Sequence, residues 1–358
     1  MYKNFYHEKT VLVTGVAGFK GTWLAIALLD AGARRIIGLD KEQLPRSNFA
    51  TSGMDQVVTF VQGDIRDQSL VQRLLSKYRV EVVFHLAAQP IVRTAYRNPM
   101  ETIGSNVMGT ASVLEAVRQA GTVTRVVVAT SDKAYFDKGG DLYTEDDRLQ
   151  GNDIYSASKS AADILTSSWI KNYYCAEGIH CGIVRCGNII GGGDWSSGRI
   201  VTDCVTALAE GRKPDIHNPD MVRDYFYVLD AISGYMSLGA ELDGDGISGE
   251  GFNFGPHDHD IENKDLATRI CDSWGDDAGW QHTPTQEPFP EIRKQTLSWE
   301  KANHRLNWAP AYSLNEALHD TVTWYKDWEK EPLAELNMFL LHRHRDKAKA
   351  EKLSWAAE

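Results

Sequence analysis

A tyrosine and a lysine four residues apart are the first pair in this sequence that could do chemistry. Tyr155 and Lys159 lie in Tyr155-Ser-Ala-Ser-Lys159, inside a segment whose pattern predicts a helix. Residues at i and i+4 share one face of a helix, so the ammonium would lie beside the phenol. A neighbouring positive charge lowers the pKa of a phenol, and such a phenol can act as a base near neutral pH. We therefore expect Tyr155 to transfer protons.

A second group of reactive side chains follows the apolar segment 123–130, in Thr130-Ser-Asp-Lys133. The apolar pattern predicts a buried strand, and ligands of parallel α/β sheets bind beyond the carboxyl ends of the strands. Asp132 and Lys133 therefore come at a position where a carboxylic acid and an amine could act on a ligand. An acid at Asp132 needs a raised pKa, which a cationic Lys133 opposes, so we expect the two side chains to point apart or to titrate as a coupled pair.

Three glycines near the N-terminus predict a site for a dinucleotide. Gly15, Gly18 and Gly21 separate the strand pattern at Thr10–Val13 from a helical pattern that begins at Thr22. Such a turn lets backbone N–H groups and a helix N-terminus hold a pyrophosphate. Asp40 ends the second strand pattern and could accept hydrogen bonds from an adenosine ribose. The carboxylate favours NAD over NADP, although Arg34 and Arg35 lie nearby.

Alternating patterns of strands and helices set the predicted fold class. Strands are expected near 10–14, 35–40, 57–61, 81–86, 123–130 and 179–185, with helices such as 69–77 and 106–117 between them. This alternation indicates an α/β protein with a doubly wound parallel Rossmann sheet. We expect an NAD-binding domain at 1–186. A smaller, mixed C-terminal substrate lobe is expected at 187–335, with part of the chain returning to the first domain, and a tail at 336–358.

Bulk properties agree with a cytoplasmic enzyme. The chain has 358 residues, a net charge of −11 and five scattered cysteines. Neither a membrane-spanning run nor a signal peptide is evident, and free thiols suit a reducing compartment. The negative charge gives no reason to expect nucleic acid. We therefore expect a small-molecule substrate and no membrane or nucleic-acid partner.

Three further features are interpreted as structural. His257-Asp-His-Asp260 is expected to be a solvated turn, since no further spaced metal ligands accompany it, and no metal site is predicted. Four tryptophans are expected to fill the core of the smaller lobe: Trp274, Trp280, Trp299 and Trp308. The basic segment from His342 to Lys352 is expected to be a solvated or frayed helix.

Over residues 8–330 the sequence resembles the extended short-chain dehydrogenase/reductases, and among them the nucleotide-sugar enzymes. The segments Gly18-Phe-Lys-Gly-Thr-Trp-Leu, Phe84-His-Leu-Ala-Ala-Gln-Pro-Ile-Val-Arg93 and Ser105-Asn-Val-Met-Gly-Thr110 are similar to CDP-glucose 4,6-dehydratases. So are Gly187-Asn-Ile-Ile-Gly-Gly-Gly-Asp-Trp195, Asn253-Phe-Gly-Pro256 and, most specifically, the Asp132-Lys133 pair.

This resemblance implies roles for individual residues. Thr130, Tyr155 and Lys159 would oxidise the sugar at C4, Asp132 would protonate the departing C6 hydroxyl, and Lys133 would act near C5 as a base or as an electrostatic helper. Substrate contacts are expected from Gln89, Arg93, Asn188, Arg199 and Arg223. Contacts with NAD are expected from Gly15, Gly18, Phe19, Lys20, Gly21, Asp40, Asp64, Ile65, Leu86, Ala87, Ala88, Gln89, Asn106, Tyr155 and Lys159.

One departure keeps an alternative open. Arg223-Asp-Tyr-Phe-Tyr-Val228 looks more like epimerases, decarboxylases and TDP-sugar enzymes than like the dehydratases. An epimerase or decarboxylase would not need the Asp132-Lys133 pair, and a non-catalytic NAD sensor would not need an activated Tyr155. The resemblance also implies a homodimer built on a four-helix bundle, with the helices near 99–119 and 154–175.

Overall fold

The structure is a computed structural model that describes residues 3–140, 142–244, 246–275, 277–284 and 294–357. Its strands are β1 Thr10–Thr14, β2 Arg35–Asp40, β3 Thr59–Gln62, β4 Val82–His85, β5 Arg125–Ala129, β6 Leu142–Tyr143, β7 His180–Cys186, β8 Asn188–Ile190, β9 Asp215–Ile216, β10 Val222–Arg223, β11 Tyr225–Tyr227, β12 Gly251–Phe254, β13 Ile261–Glu262, β14 Gln281–His282 and β15 Lys294–Leu297.

The α-helices of the described chain are α1 Lys3–Tyr6, α2 Phe19–Asp30, α3 Asn48–Thr51, α4 Met54–Val57, α5 Gln68–Tyr78, α6 Val92–Arg97, α7 Pro99–Ile103, α8 Gly109–Ala120, α9 Ile154–Trp169, α10 Cys175–Glu177, α11 Ile200–Ala209, α12 Val228–Glu241, α13 Asn263–Trp274, α14 Glu300–Leu306, α15 Leu314–Asp327 and α16 Leu333–Ala350. Single π-helical turns join α7 to α8 and α9 to α10, and a short 3₁₀ turn covers Asp132–Ala134.

The central sheet has seven parallel strands in the order β12-β7-β5-β4-β1-β2-β3. Its strands are largely apolar, and β1 and β4 are buried along their whole length, as expected when helices cover both faces. The strand order reverses between β1 and β4, where Thr14 pairs with His85, and a doubly wound sheet binds its ligands at such a point. The predicted fold class is confirmed, and the six predicted strands lie within two residues of the observed ones.

Local sequence signals fix the helices that border this crevice. The carboxylate of Asp153 caps α9 by accepting a hydrogen bond from the backbone N–H of Ser156 at 3.0 Å, and Asp67 caps α5 in the same way through Leu70 at 2.9 Å. An N-cap side chain satisfies a backbone donor that the helix itself leaves unpaired. The cap at Asp153 therefore fixes the start of the helix that carries Tyr155.

The smaller lobe contains a four-stranded sheet in the order β13-β10-β15-β6. One of its strands, β6, comes from the first half of the chain and pairs in parallel with β15, while β12 of the second half pairs with β7 in the central sheet. The two halves of the chain are thus interwoven at the crevice. Trp308 is completely buried, and the other three tryptophans pack against the same core.

The C-terminal segment differs from the expected solvated or frayed helix. It forms α16, whose inward side chains Leu340, Leu341 and His344 are buried, and Trp355 beyond it is buried as well. The Nε2 atom of His344 lies 2.8 Å from Oδ1 of Asp230. Basic side chains of the segment pair with carboxylates of the protein: Arg343 lies 2.9 Å from Asp320 and Arg345 lies 2.6 Å from Asp30. The sequence alone did not show these partners, which is why it suggested a solvated helix. No helix in the described ranges is long and apolar enough to span a membrane.

The segment 257–260 is more than the expected solvated turn. The Nδ1 atom of His259 lies 3.0 Å from Oδ2 of buried Asp224, and Asp258 accepts a hydrogen bond from the backbone N–H of Leu314 at 2.6 Å. Both side chains therefore tie the segment to neighbouring elements. Within the described ranges, no three His, Cys, Asp or Glu side chains are arranged to hold a metal ion.

Candidate active site

Two adjoining cavities lie at the point where the strand order reverses. The first, which we call the glycine-loop cavity, has a volume of about 480 Å³ and is lined by the loop after β1, by Asp40 and by Lys159. The second, the interlobe cavity, has a volume of about 740 Å³ and is lined by Asp132, Lys133 and side chains of the smaller lobe. Ser131, Tyr155 and Arg199 are among the residues that line both cavities, so ligands in the two cavities would meet at this junction.

The glycine loop has the tight geometry that the sequence predicts. Gly15 has a φ of +74°, and a Cβ atom there would lie 2.9 Å from the backbone N of Ala87. A Cβ atom on Gly21 would lie only 2.0 Å from the carbonyl oxygen of Gly15. No other residue fits at either position. The glycines therefore let the turn pack directly against neighbouring backbone. The first residues of α2, 19–21, line the glycine-loop cavity, as an anion site at a helix N-terminus requires.

Asp40 lies at the rim of this cavity, at the end of β2. Its Oδ2 atom accepts a hydrogen bond from the backbone N–H of Ala17 at 3.0 Å, and its Oδ1 atom accepts one from Lys41 at 2.8 Å. Burial raises the pKa of Asp40. The two nearby arginines point elsewhere: Arg34 donates to Oγ1 of Thr10 at 2.9 Å, and the guanidinium of Arg35 lies over the ring of Tyr78.

All residues predicted to bind the cofactor line the glycine-loop cavity, except Asp64 and Asn106. The carboxylate of Asp64 instead accepts hydrogen bonds from Arg66, which outweigh partial burial and lower its pKa to about 2. Asn106 lies behind the wall, where its Oδ1 atom accepts a hydrogen bond from the backbone N–H of Gln89 at 2.8 Å. These two side chains shape the cavity wall, whereas the sequence analysis placed them against the ligand.

Tyr155 and Lys159 lie one turn apart on α9 and are both buried. The Nζ atom of Lys159 donates to the carbonyl oxygen of Ala129 at 3.3 Å. Burial and the nearby charge of Lys20 lower the pKa of Lys159 to about 7. Burial raises the pKa of Tyr155 to about 12, whereas the sequence analysis expected a lowered value. In the protein alone, the desolvation of the phenolate thus outweighs its favourable interactions.

Of the two hydroxyl residues after β5, Ser131 lines both cavities together with Tyr155, whereas the Thr130 hydroxyl is bonded elsewhere. A hydrogen bond with Ser131 opposes the effect of burial on the pKa of Tyr155. The Oγ1 atom of Thr130 points the other way and donates to Oδ2 of Asp163 at 2.9 Å. Asp163 also accepts two hydrogen bonds from Arg185, each of 2.8 Å. Thr130 lines the glycine-loop cavity, but its hydroxyl is directed to Asp163, because adjacent residues at a strand end point to opposite sides. The role of Thr130 in the oxidation stays a prediction.

The side chains of Asp132 and Lys133 point apart, which is the first of the two alternatives that the sequence analysis left open. The Oδ1 atom of Asp132 accepts hydrogen bonds from the Ser131 hydroxyl at 2.8 Å and from the backbone N–H of Lys133 at 2.9 Å. The Nζ atom of Lys133 donates to Oε1 of Gln295 at 2.7 Å, and Nε2 of Gln295 donates to the carbonyl oxygen of Asp132 at 2.7 Å. Gln295 is buried on β15, and nothing in its sequence context indicated this role.

Four of the five predicted substrate residues line the interlobe cavity: Arg93, Asn188, Arg199 and Arg223. Arg199 also lines the glycine-loop cavity and lies 3.4 Å from the carboxylate of Asp194. Gln89 lines only the glycine-loop cavity, where its side chain bonds to Thr102 and to the backbone of Ile91. Guanidinium groups bind phosphate oxygens well, so the interlobe cavity suits an anionic ligand despite the negative charge of the whole chain.

Comparison with known proteins gives a consistent result. The sequence profile of the family described as GDP-mannose 4,6 dehydratase matches residues 12–321. A CDP-glucose 4,6-dehydratase of Salmonella typhimurium is 37% identical over 91% of this chain and 93% of its own length. A UDP-glucose 4-epimerase of Mycolicibacterium smegmatis is 30% identical over 88% of this chain and 98% of its own length.

Among solved structures, DesIV of Streptomyces venezuelae, a dTDP-glucose 4,6-dehydratase with NAD and TYD bound, superposes with a TM-score of 0.79. It is 28% identical, and the match covers 90% of this chain and 99% of DesIV. The family match, the identities and the shared fold agree with the two-cavity site described above. The chain therefore belongs to the GDP-mannose 4,6 dehydratase family.

Proposed function

We propose that this protein is a nucleotide-sugar 4,6-dehydratase that uses NAD and acts on CDP-glucose. The observation that carries the proposal is the position of Asp132 and Lys133 in the interlobe cavity, beside Tyr155 at its junction with the glycine-loop cavity. Dehydration needs an acid for the leaving hydroxyl in addition to a base for the oxidation, and this junction holds groups for both. The 37% identity to a CDP-glucose 4,6-dehydratase supports the choice of reaction and of nucleotide.

The glycine-loop cavity fits NAD. The α2 N-terminus would hold the pyrophosphate, Asp40 the adenosine ribose, and Lys159 the nicotinamide end. The engagement of Arg34 and Arg35 elsewhere supports an unphosphorylated ribose. When bound, NAD supplies a hydride acceptor for C4 and a hydride donor for C6. Its positive charge also favours the phenolate of Tyr155, opposing the effect of burial.

The side chains of the interlobe cavity would then act in a defined order. Tyr155 takes the proton from the 4-hydroxyl as C4 is oxidised. The resulting ketone acidifies the C5 proton, and Asp132 protonates the oxygen that leaves C6 as water. Lys133 donates a hydrogen bond to Gln295, an arrangement that suits stabilisation of the enolate at C5. It serves as the C5 base only in its neutral form, which needs desolvation.

An epimerase of the same family is the alternative that a specific observation favours. Arg223 and Tyr225, from the segment that resembles epimerases, line the interlobe cavity, and the relative from Mycolicibacterium smegmatis is an epimerase. An epimerase would use Tyr155 and Lys159 in the same way as a dehydratase, but its product would have the same mass as its substrate. The loss of water therefore separates the two functions.

The test is incubation of the purified protein with CDP-, dTDP-, UDP- and GDP-glucose, followed by mass spectrometry. We expect loss of water from CDP-glucose above all, with deuterium from heavy water incorporated at C5. Interconversion of UDP-glucose and UDP-galactose without loss of mass would establish the epimerase instead. Binding of NAD with no turnover of any of the four sugars would favour a sensor.

We also propose that the protein is a homodimer in the cytoplasm. The two helical segments predicted for a four-helix bundle, 99–119 and 154–175, carry exposed apolar side chains: Met100, Met108, Ile164 and Tyr173. Apolar groups on the outer face of paired helices suit a bundle with a second copy. All five cysteines are unpaired, which suits a reducing compartment. Sedimentation of the purified protein tests the dimer.

A further inference from the structure

The glycine-loop cavity is lined by two chain segments that are far apart in sequence. Lys41 lines it just after β2, and Asp194 and Ser196 line it between β8 and α11. We call residues 41–47 the strap and residues 191–196 the facing segment. A contact that holds these two segments together therefore limits how far the cavity can open between them.

A cation and two indole rings join the strap to the facing segment. The guanidinium carbon of Arg46 lies 4.2 Å from the centre of the Trp195 ring and 4.8 Å from the centre of the Trp328 ring. The two indoles lie 5.0 Å apart at an angle of 63°, so both contact the same cation. A guanidinium within about 6 Å of an aromatic ring is attracted to its face. Because Trp195 stands between the cavity-lining residues Asp194 and Ser196, this clamp lies beside the cavity.

The strap is anchored at both ends, whereas its middle is exposed. It begins directly after β2, whose last residue pairs with β3. Just beyond its other end, Oδ1 of buried Asn48 accepts a hydrogen bond from Nδ2 of Asn337 on α16 at 2.8 Å. Four of the five residues 42–46 are exposed. Because exposed residues bury little surface, the clamp at Arg46 carries much of the attachment of this stretch to the smaller lobe.

The facing segment is held from behind by hydrogen bonds to its backbone. The hydroxyl of Tyr325 donates to the carbonyl oxygen of Asp194 at 2.6 Å, and the indole N–H of Trp23 donates to the carbonyl oxygen of Gly192 at 2.8 Å. Both donors are buried. The strap is therefore the part of this wall that can move, and the clamp is the contact that must break when it does.

We propose that the strap is a gate for NAD, and that Arg46 keeps this gate closed by binding to the indoles of Trp195 and Trp328. The inference rests on the proposed binding of NAD in the glycine-loop cavity. In the proposed reaction, NADH must stay bound from the oxidation of C4 until C6 is reduced, because its loss would strand the keto sugar. A closed gate lengthens the residence of NADH, so Arg46 is a positioning residue that acts through the strap.

The first test measures how fast NADH leaves and enters the purified protein in the absence of any sugar. Protein loaded with NADH is mixed with excess NAD, and the decay of the fluorescence of bound NADH gives the dissociation rate. Stopped-flow mixing with NADH gives the association rate. Arg46→Ala should raise both rates by a similar factor of roughly 2–30, the range for one lost cation–π contact, so that Kd changes much less than either rate. The loss of a direct contact with the cofactor would instead raise the dissociation rate alone and weaken Kd.

Three further variants control this measurement. Arg35→Ala removes the contact of an exposed arginine with the ring of Tyr78 at the opposite end of β2, and it should leave both rates at the wild-type values. Trp328→Ala should raise both rates, and its combination with Arg46→Ala should be no faster than Arg46→Ala alone, because the two residues belong to one clamp. Arg46→Lys keeps the charge but loses the planar group that stacks on the rings, so its rates should lie between those of the wild type and Arg46→Ala.

The outcomes separate the gate from the proposed function. Equal rates in the wild type and Arg46→Ala would overturn the gate, and so would an equal rise in Arg35→Ala. A weaker Kd with an unchanged association rate in Arg46→Ala would also overturn it. These measurements use no sugar, so they decide on the gate even if none of the four nucleotide sugars loses water. Loss of water from CDP-glucose by a protein without the gate would leave the proposed function standing, whereas a protein that binds no NADH would refute both.

Discussion

Thr130→Val tests the assignment of the two hydroxyl residues at the end of β5. Valine has nearly the shape of threonine, so the change removes a hydroxyl and keeps the packing. In the structure this hydroxyl donates to Asp163 at 2.9 Å, and Asp163 is completely buried. A hydrogen bond to a charged group contributes about 1.5–3 kcal/mol. In Thr130→Val, Asp163 keeps both hydrogen bonds from Arg185. The loss in free energy of unfolding should therefore stay below the roughly 3–5 kcal/mol expected when a buried ion pair is broken.

The free energy of unfolding of Thr130→Val, measured by urea denaturation, should therefore fall by about 1.5–3 kcal/mol, which is about a 10–150-fold larger unfolding constant. Thr130→Ser is the matched control, because it keeps the hydroxyl and should retain most of the stability. Ser131→Ala also removes a hydrogen bond to a buried carboxylate, that of Asp132, so it should lose comparable stability, but it should in addition lose kcat, because Ser131 lines both cavities. Arg185→Leu should be the least stable of the set, since it leaves the charge of Asp163 unpaired.

The result that would refute this reasoning is a Thr130→Val protein of wild-type stability whose kcat has fallen more than about 100-fold, the scale of a lost catalytic proton transfer. Such a protein would place the Thr130 hydroxyl at the substrate, as the sequence analysis expected. The same set of variants thus tests the site geometry.

Three further predictions concern the proposed reaction. Tyr155→Phe should lower kcat by roughly 10²–10⁴-fold while NAD still binds by calorimetry; a variant with more than about a tenth of wild-type kcat would remove Tyr155 from the base role. Asp40→Ala should weaken NAD much more than CDP-glucose in the same assay, and equal losses would mean that Asp40 only holds the loop at Ala17. The Asp132→Asn protein should still oxidise C4 and should accumulate NADH together with a 4-keto sugar that keeps its 6-hydroxyl. The Lys133→Met protein should not exchange the C5 proton with solvent if Lys133 is the base, and should exchange it more slowly if Lys133 stabilises the enolate. Full conversion by both of these variants would contradict the dehydratase mechanism.

The sequence predicted six of the seven strands of the central sheet, because these strands are apolar and separated by helices; β12, which lies in the second half of the chain, was not predicted. The strand β1 and the glycines after it are contiguous in sequence, so the phosphate-binding turn was also visible. The smaller sheet was not predicted, since β6, β10 and β13 have two residues each and show no alternation. Their pairing depends on contacts between residues 38 to 154 positions apart.

Most of the site residues predicted from the sequence line the two cavities, but several of their side chains point in directions that the sequence did not indicate. The sequence showed that a hydroxyl residue would follow β5, but the choice between Thr130 and Ser131 depends on which side of the strand faces α9. Likewise, Asp64 and Asn106 belong to segments that border the predicted cofactor site, yet their side chains bond to other protein groups. Side-chain direction at a strand end changes from one residue to the next, so an error of one position reverses the assignment.

The position of the acid is fixed by the smaller lobe as much as by the strand that carries it. Gln295 holds Lys133 through one end of its amide and the backbone of Asp132 through the other. Two residues later on β15, the backbone N–H of Leu297 donates to Asp224 at 3.0 Å. The pair Asp132-Lys133 is thus a short motif in the sequence, but its geometry requires β15 to dock from more than 160 positions away. Gln295→Leu would keep the volume of the side chain and remove both bonds, so it should slow water loss and C5 exchange more than the oxidation at C4, which depends on Tyr155 and Lys159. Equal loss of all three steps, measured by NADH formation and deuterium incorporation, would show that β15 supports the fold of the site and has no separate part in placing the acid.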